Sequence, residues 1–92
     1  MPTVPLFKAT DVWKRISDSE AVCYRCFQRL RTGKYFVQSA DFYRLPENPI
    51  QSSHLERQRI ELFIQQAPDE RTAAYDTLEA AIEAHEAEFG LR

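Results

Sequence analysis

Residues 23–26, with the sequence CYRC, form a C-x-x-C motif, the spacing found in zinc knuckles and in thiol redox pairs. A metal site needs both thiolates on one side of the backbone, and a redox pair usually lies at the start of a helix. Here the motif falls within a predicted strand, so its two cysteines are expected on opposite faces. The remaining ligand candidates, His54 and His85, fall on separate predicted helices. We therefore interpret both cysteines as structural and expect no metal or cofactor, with a thiol or zinc site as an alternative.

Three carboxylates, Glu79, Glu83 and Glu86, share one face of the predicted last helix at steps of three and four residues. Paired carboxylates can perform acid–base chemistry or hold hard cations. A stripe of this kind is more commonly the solvated side of an amphipathic helix, with docking to a basic partner as its second use. His85 lies on the apolar side of the same helix, where a packing role is expected. The sequence contains no nucleophile, base and orienting group at a recognisable spacing. We therefore predict that the chain is not an enzyme.

The stretch from residue 21 to residue 43 predicts a β-hairpin that turns around Thr32 and Gly33, with strands over about residues 21–30 and 35–43. A turn over residues 31–34 would place Leu30 opposite Tyr35, and would give the hairpin two apolar faces. A folded domain needs only one of them for its core, so the second must be covered by the chain or by a partner. That second face has guanidinium groups between aromatic rings, and its predicted contact residues are Arg25, Phe27, Arg29, Phe36 and Phe42.

Arginine and aromatic residues are enriched at protein interfaces, so this face predicts a surface that binds another protein or a second copy of the chain. Rings beside guanidinium groups also stack bases and neutralise phosphates, and single-stranded RNA binding is the alternative. Residues 33–37 resemble the RNP1 pattern of RNA-recognition sheets only in part, since Lys34 follows the glycine instead of preceding it. If the face is exposed, reversing the charges of Arg25 and Arg29 would abolish partner binding without unfolding the protein.

The remaining elements are predicted from caps and periodicity. Residues 10–17 predict a short helix with Val12, Trp13 and Ile16 as its apolar stripe, after an extended start in which residues 3–7 form an edge strand or a loose arm. A capping box at Ser53 opens a helix to about residue 66. A second helix is predicted from about residue 67 to residue 89, and the short connection makes the two an antiparallel pair.

These elements predict one α+β domain over residues 1–92, in the order α-β-β-α-α, with the helix pair packed on one hairpin face. The net charge is −2, and residues 1–54 are mildly basic while residues 55–92 are acidic. This charge is unlike the strongly basic footprint of a nucleic-acid-binding domain. No apolar run approaches the roughly 20 residues of a membrane helix, and no signal peptide is visible, so we expect a cytoplasmic protein with no membrane contact. The predicted function is a small, non-enzymatic protein-interaction module.

Overall fold

The computed structural model describes residues 4–90, and these form a three-stranded antiparallel sheet followed by three helices. The strands are β1 (Phe7–Arg15), β2 (Glu20–Arg29) and β3 (Tyr35–Arg44), in the spatial order β1-β2-β3. The helices are α1 (Pro49–Gln65), α2 (Pro68–Arg71) and α3 (Leu78–Phe89). The predicted α+β class is therefore confirmed, whereas the order is strands first and helices after them.

The predicted helix over residues 10–17 is wrong, because this segment belongs to strand β1. Thr10 and Val12 are β-branched and pair with Cys26 and Tyr24 of β2 along a continuous antiparallel ladder. The anticipated N-terminal edge strand does exist, but it begins at Phe7. Thr3, the first residue of the predicted strand, lies outside the described part of the chain.

The hairpin is confirmed, but its register differs from the predicted one. Gln28 lies opposite Tyr35, and Gly33 takes the left-handed conformation that the turn requires (φ 73°). A β-bulge follows: Cys26 pairs with Val37 and Arg25 pairs with Ser39, which leaves Gln38 as an extra residue. Beyond the bulge, every side chain of β3 lies on the face opposite to the one predicted from simple alternation.

The helical half begins earlier than predicted and is interrupted. Asn48, and not Ser53, caps α1, since its Oδ1 accepts hydrogen bonds from the backbone N–H groups of Ile50 and Gln51. The predicted single helix over residues 67–89 is divided into α2 and α3, because Tyr75 leaves the helical path and forms two backbone hydrogen bonds with Tyr35 of β3 (2.8 and 3.0 Å). Thr77 caps α3, and Gly90 ends it in the left-handed conformation as predicted.

The two long helices lie on opposite faces of the sheet and do not form the predicted antiparallel pair. Ala81 of α3 is buried against a cluster that includes Val22, Tyr24 and Cys26 of β2. On the other face, Phe63 of α1 stacks on Phe27. Strand β2 is consequently covered on both sides, which explains its continuous burial from Val22 to Phe27. None of the helices within residues 4–90 has the length and apolar content that a membrane crossing requires.

The ladder between β1 and β2 predicts an alternating pattern of amide protection in β1. Leu30 and Ile16 mark the two ends of this ladder, because the Leu30 N–H bonds to the Leu6 carbonyl and the Ile16 N–H bonds to the Glu20 carbonyl. Even-numbered residues of β1 therefore direct their backbone N–H and C=O groups toward β2, and odd-numbered residues direct theirs outward. In hydrogen exchange measured by NMR, we expect the amides of Thr10 and Val12 to exchange more slowly than those of Ala9 and Asp11, by a factor on the order of ten or more. Uniform protection along β1 would contradict an open outer edge.

Candidate protein-docking edge

The predicted contact face is largely covered by α1. Arg25, Phe27 and Phe36 retain only 5%, 6% and 3% of their accessible surface. The second hairpin face is therefore covered by helix α1 of the same chain. These three residues position α1 on the sheet and are not accessible to a partner in this conformation.

Arg25 is the centre of a buried polar network that joins β1, β2, β3 and α1. Its Nε donates to the Asp41 carboxylate at 2.9 Å, and one Nη donates to the Asp11 carboxylate at 3.0 Å. The other Nη donates to the Tyr43 hydroxyl at 2.9 Å and lies 3.5 Å from the Glu56 carboxylate of α1. Burial opposes the charge, but the hydrogen bond to Asp41 and the neighbouring groups keep the pKa of Arg25 above its ordinary value. Arg25 is thus a fully engaged structural cation.

The aromatic residues of the same face form a closed cluster. Phe7 makes edge-to-face contacts with Phe27, Phe36 and Phe63, with ring centroids 5.9–6.4 Å apart. Phe63 of α1 also stacks on Phe27 at 4.8 Å. Such contacts add to the stabilisation from apolar burial. The rings of Phe27 and Phe36 already contact Phe7, and Phe27 also contacts Phe63. They therefore do not offer the exposed rings on which RNA bases would stack.

The other two predicted contact residues lie elsewhere. Arg29 is half-buried and donates to the Asp69 carboxylate of α2 at 2.9 Å. Phe42 is displaced by the β-bulge to the α3 side of the sheet, opposite Val22, where 46% of it is exposed. The five residues therefore do not form one surface, because the bulge and the helical cover separate them.

The acidic residues of α3 also have different surroundings. Glu79 and Glu83 are exposed, as a solvated stripe requires. Glu86 instead faces the sheet, where its Oε2 accepts hydrogen bonds from the Tyr24 hydroxyl at 2.5 Å and from the Lys14 ammonium at 2.9 Å. These hydrogen bonds, that from Tyr24 first, lower the pKa of Glu86. This carboxylate fastens α3 to β1 and β2.

The two cysteines lie on opposite faces of β2, as their spacing in a strand implies, and both are buried and unoxidised. Burial raises the pKa of Cys23 to about 11 and that of Cys26 to about 12, so both remain thiols at neutral pH. Among residues 4–90, no three His, Cys, Asp or Glu side chains are grouped so as to hold a metal ion. The geometry therefore offers no support for the thiol or zinc alternative.

The feature that the sequence analysis missed is the outer edge of β1. Within the described part of the chain this strand has β2 on one side only, so the outward N–H and C=O groups of Ala9, Asp11 and Trp13 form a ladder with no neighbouring strand among residues 4–90. Lys8 and Arg15, near its two ends, make no ion pair within the described chain. The alternation of the β-branched residues Thr10 and Val12 with Ala9, Asp11 and Trp13 was the signal available in the sequence.

Helix α1 provides an apolar wall beside this edge. Glu56, Ile60 and Phe63 lie one turn apart on one side of the helix. Glu56 contacts Arg25 of β2 and Phe63 contacts Phe7 of β1, so Ile60 lies between these two contacts along the helix. Ile60 is 50% exposed and Phe63 is 37% exposed. The docking edge is defined here as the outer side of β1 together with Ile60 and Phe63.

Trp13 continues this apolar border toward the other end of β1. Its ring packs on that of Tyr43 at a centroid distance of 5.3 Å, yet 57% of the residue is exposed. Large aromatic side chains that remain half-exposed beside an unpaired strand are typical of interaction surfaces. No protein-family model, curated protein or solved structure matches this chain.

The Arg25 network predicts a large stability loss when the guanidinium is removed. Asp41 is itself buried, so Arg25→Met would leave an unpaired carboxylate under α1. We expect a loss of about 3–5 kcal/mol in the free energy of unfolding, measured by urea denaturation. Arg57→Met, on the exposed side of α1, is the matched control and is expected to change stability by less than about 0.5 kcal/mol. This expectation replaces the earlier one that charge reversal at Arg25 leaves the fold intact, and equal stabilities of the two variants would contradict it.

His85 predicts a second, pH-dependent effect. Its ring contacts Phe89 and Tyr24 on the inner side of α3, and burial lowers its pKa although Glu88 and Glu86 favour the charged form. Below about pH 6.5 the unfolded chain therefore binds this proton more readily than the folded one, and stability falls as the pH is lowered toward the folded pKa.

We expect His85→Gln to reduce the difference in unfolding free energy between pH 7 and pH 5. The carboxylates with lowered pKa values, Glu56 and Glu86, begin to lose their contribution only as the pH falls toward the ordinary glutamate pKa of 4.5, and they lose the rest as it falls through their folded pKa values. The two effects are therefore separable by urea denaturation at several pH values. If the unfolding free energy of His85→Gln changes between pH 7 and pH 5 as much as that of the unsubstituted protein, this histidine does not cause the pH dependence.

Proposed function

We propose that this chain is a small protein-binding module, without catalysis of its own, that receives an extended acidic segment of another protein along β1. The observation that carries the proposal is the open outer ladder of β1, which has an apolar wall beside it and unpaired cations near both ends. An extended peptide that pairs with such an edge gains main-chain hydrogen bonds, while the neighbouring side chains select among peptides.

The local shape of the docking edge suits an added strand. Ala9 lies between Phe7 and Asp11 on the α1 face of β1, and its small side chain leaves room above the strand. Side chains of an incoming segment would pack there against Ile60 and Phe63, and farther along against Trp13. These contacts bury apolar surface that the isolated chain leaves in water.

The charge of β1 favours an acidic occupant over a second copy of the chain. Segment Phe7–Arg15 contains three basic residues and one acidic residue. Asp11 is engaged by Arg25 and Lys14 by Glu86, so Lys8 and Arg15 remain for a partner. Two β1 strands paired with each other would bring these positive charges together, which disfavours the homodimer. Acidic side chains near both ends of an incoming strand would instead complement them.

The test uses a peptide-display selection against the folded chain, followed by NMR titration with the selected peptides. We expect enriched peptides that alternate acidic and apolar residues, and new protection of the Ala9, Asp11 and Trp13 amides when one of them binds. Ala9→Pro removes an outward N–H group and obstructs an added strand while it leaves the bonds to β2 intact, so binding should be lost and thermal stability largely kept.

Charge is tested separately with the variant Lys8→Glu/Arg15→Glu. We expect it to weaken binding of the acidic peptides by on the order of tenfold or more at low salt. Arg31→Glu/Arg57→Glu makes the same change in net charge away from β1 and should have little effect. Peptide binding that survives Ala9→Pro would overturn the proposal. A dimer in solution that Ala9→Pro converts to a monomer would also overturn it, since the occupant of β1 would then be a second copy.

A further inference from the structure

A second candidate site lies on the opposite side of the molecule from β1, at the outer edge of β3. There a partly open cavity of about 340 Å³ is bordered by β3, by the end of α2 and the segment that follows it, and by α3. This volume is near the lower end of the roughly 300–1,000 Å³ of ligand pockets, so it suits a small molecule. Tyr75, which bonds to Tyr35 of β3, is one of the residues that line the cavity.

Two of the residues that border the cavity each have a buried polar atom without a hydrogen-bond partner among the described residues. Gln38, the extra residue of the bulge, is 93% buried; its Nε2 donates to the Arg59 carbonyl, but its Oε1 accepts no hydrogen bond. The Nε of Arg71 is buried and also unpaired. Within residues 4–90 the Arg71 guanidinium forms no ion pair at all. Buried polar groups without partners in a folded protein are normally satisfied by water or by a ligand.

The chemistry of these groups defines what would fill the cavity. A guanidinium binds a carboxylate with two parallel hydrogen bonds, and a free amide oxygen accepts a hydrogen bond from an ammonium or hydroxyl group. The apolar wall consists of Ala81, Ala84 and the ring of Phe89. Among residues 4–90, Glu88 is the one carboxylate that borders the cavity, and it would repel a ligand of higher negative charge. His85 stays neutral there at neutral pH because burial lowers its pKa.

We propose that this cavity binds a small monocarboxylic acid that carries an apolar body and a hydrogen-bond donor next to its carboxylate, as apolar α-amino acids do. Arg71 would bind the carboxylate, Gln38 and Glu88 would receive the ammonium group, and Ala81, Ala84 and Phe89 would contact the apolar side chain. The site goes beyond the protein-binding function proposed above, since it involves neither β1 nor α1's apolar wall.

The test is an NMR titration of the full chain with L-leucine and L-phenylalanine, and with leucinamide, which lacks the carboxylate. We expect saturable shifts of amides around Arg71, Val37 and Ala84 with at least one amino acid, and binding of leucinamide weaker by about tenfold or more. Arg71→Gln should weaken amino-acid binding to a similar extent. Arg57→Gln removes an arginine outside the cavity and should leave the affinity unchanged.

A second variant separates binding from folding. Ala84→Leu places a larger side chain in the cavity at a helix position that accepts leucine well, so it should abolish binding while the thermal midpoint is maintained or raised. The proposal is overturned if no probe gives saturable shifts up to about 10 mM, which corresponds to affinities too weak for a built site. It is equally overturned if leucinamide binds as tightly as L-leucine, or if Arg71→Gln has no effect. Ala9→Pro should leave amino-acid binding intact, so this site and the docking edge fail independently.

Discussion

A buried charge on the central strand is the constraint that most of this structure satisfies. Arg25 lies on β2, which is covered on both faces, and an unpaired cation there would cost several kcal/mol. Its hydrogen bonds require Asp11 opposite it on β1 and Asp41 and Tyr43 on β3, and its further ion pair requires Glu56 of α1 beside it. The register of both strand pairs and the placement of α1 are therefore linked through a single guanidinium group. Burial of apolar surface drives the assembly, and this network restricts which assembly is acceptable.

Different interactions consequently hold the helices on the two faces of the sheet. Helix α3 places Ala81 against Val22, Tyr24 and Cys26, a continuous apolar core. Helix α1 has no fully buried residue, and it contacts its face through the Phe7 cluster, through Glu56 and through the carbonyl of Arg59. Few buried apolar contacts imply a low free energy of local opening, so α1 belongs to the less stable part of the fold. A wall of the proposed docking edge thus has some freedom to adjust its position.

Local signals in the sequence predict the α+β class, the hairpin around Gly33 and the end of α3 at Gly90. The Arg and Phe side chains of the hairpin also indicate that this face needs a cover, but they do not indicate that α1 provides it. Val12, Trp13 and Ile16 fit a helical stripe as well as a strand, and only the non-local pairing with Tyr24 and Cys23 decides between them. The open edge of β1 was invisible once that segment was taken for a helix. The bridge between Tyr35 and Tyr75, which divides the predicted last helix beside the cavity, is likewise a contact between residues far apart in sequence.

The bulge at Gln38 has a consequence for how this architecture can vary. One extra residue turns Tyr43 toward Arg25 and Phe42 toward α3, whereas an uninterrupted strand would place them the other way round. Substitutions in β3 act on single positions, but the loss of one residue would exchange the faces of the whole segment from residue 39 to residue 44. Any chain that keeps this fold with a shorter third strand must therefore invert the order of its polar and apolar residues beyond the missing position. In a comparison of two sequences, a one-residue gap in the third strand followed by this inverted order would identify a relative, even if few individual residues match.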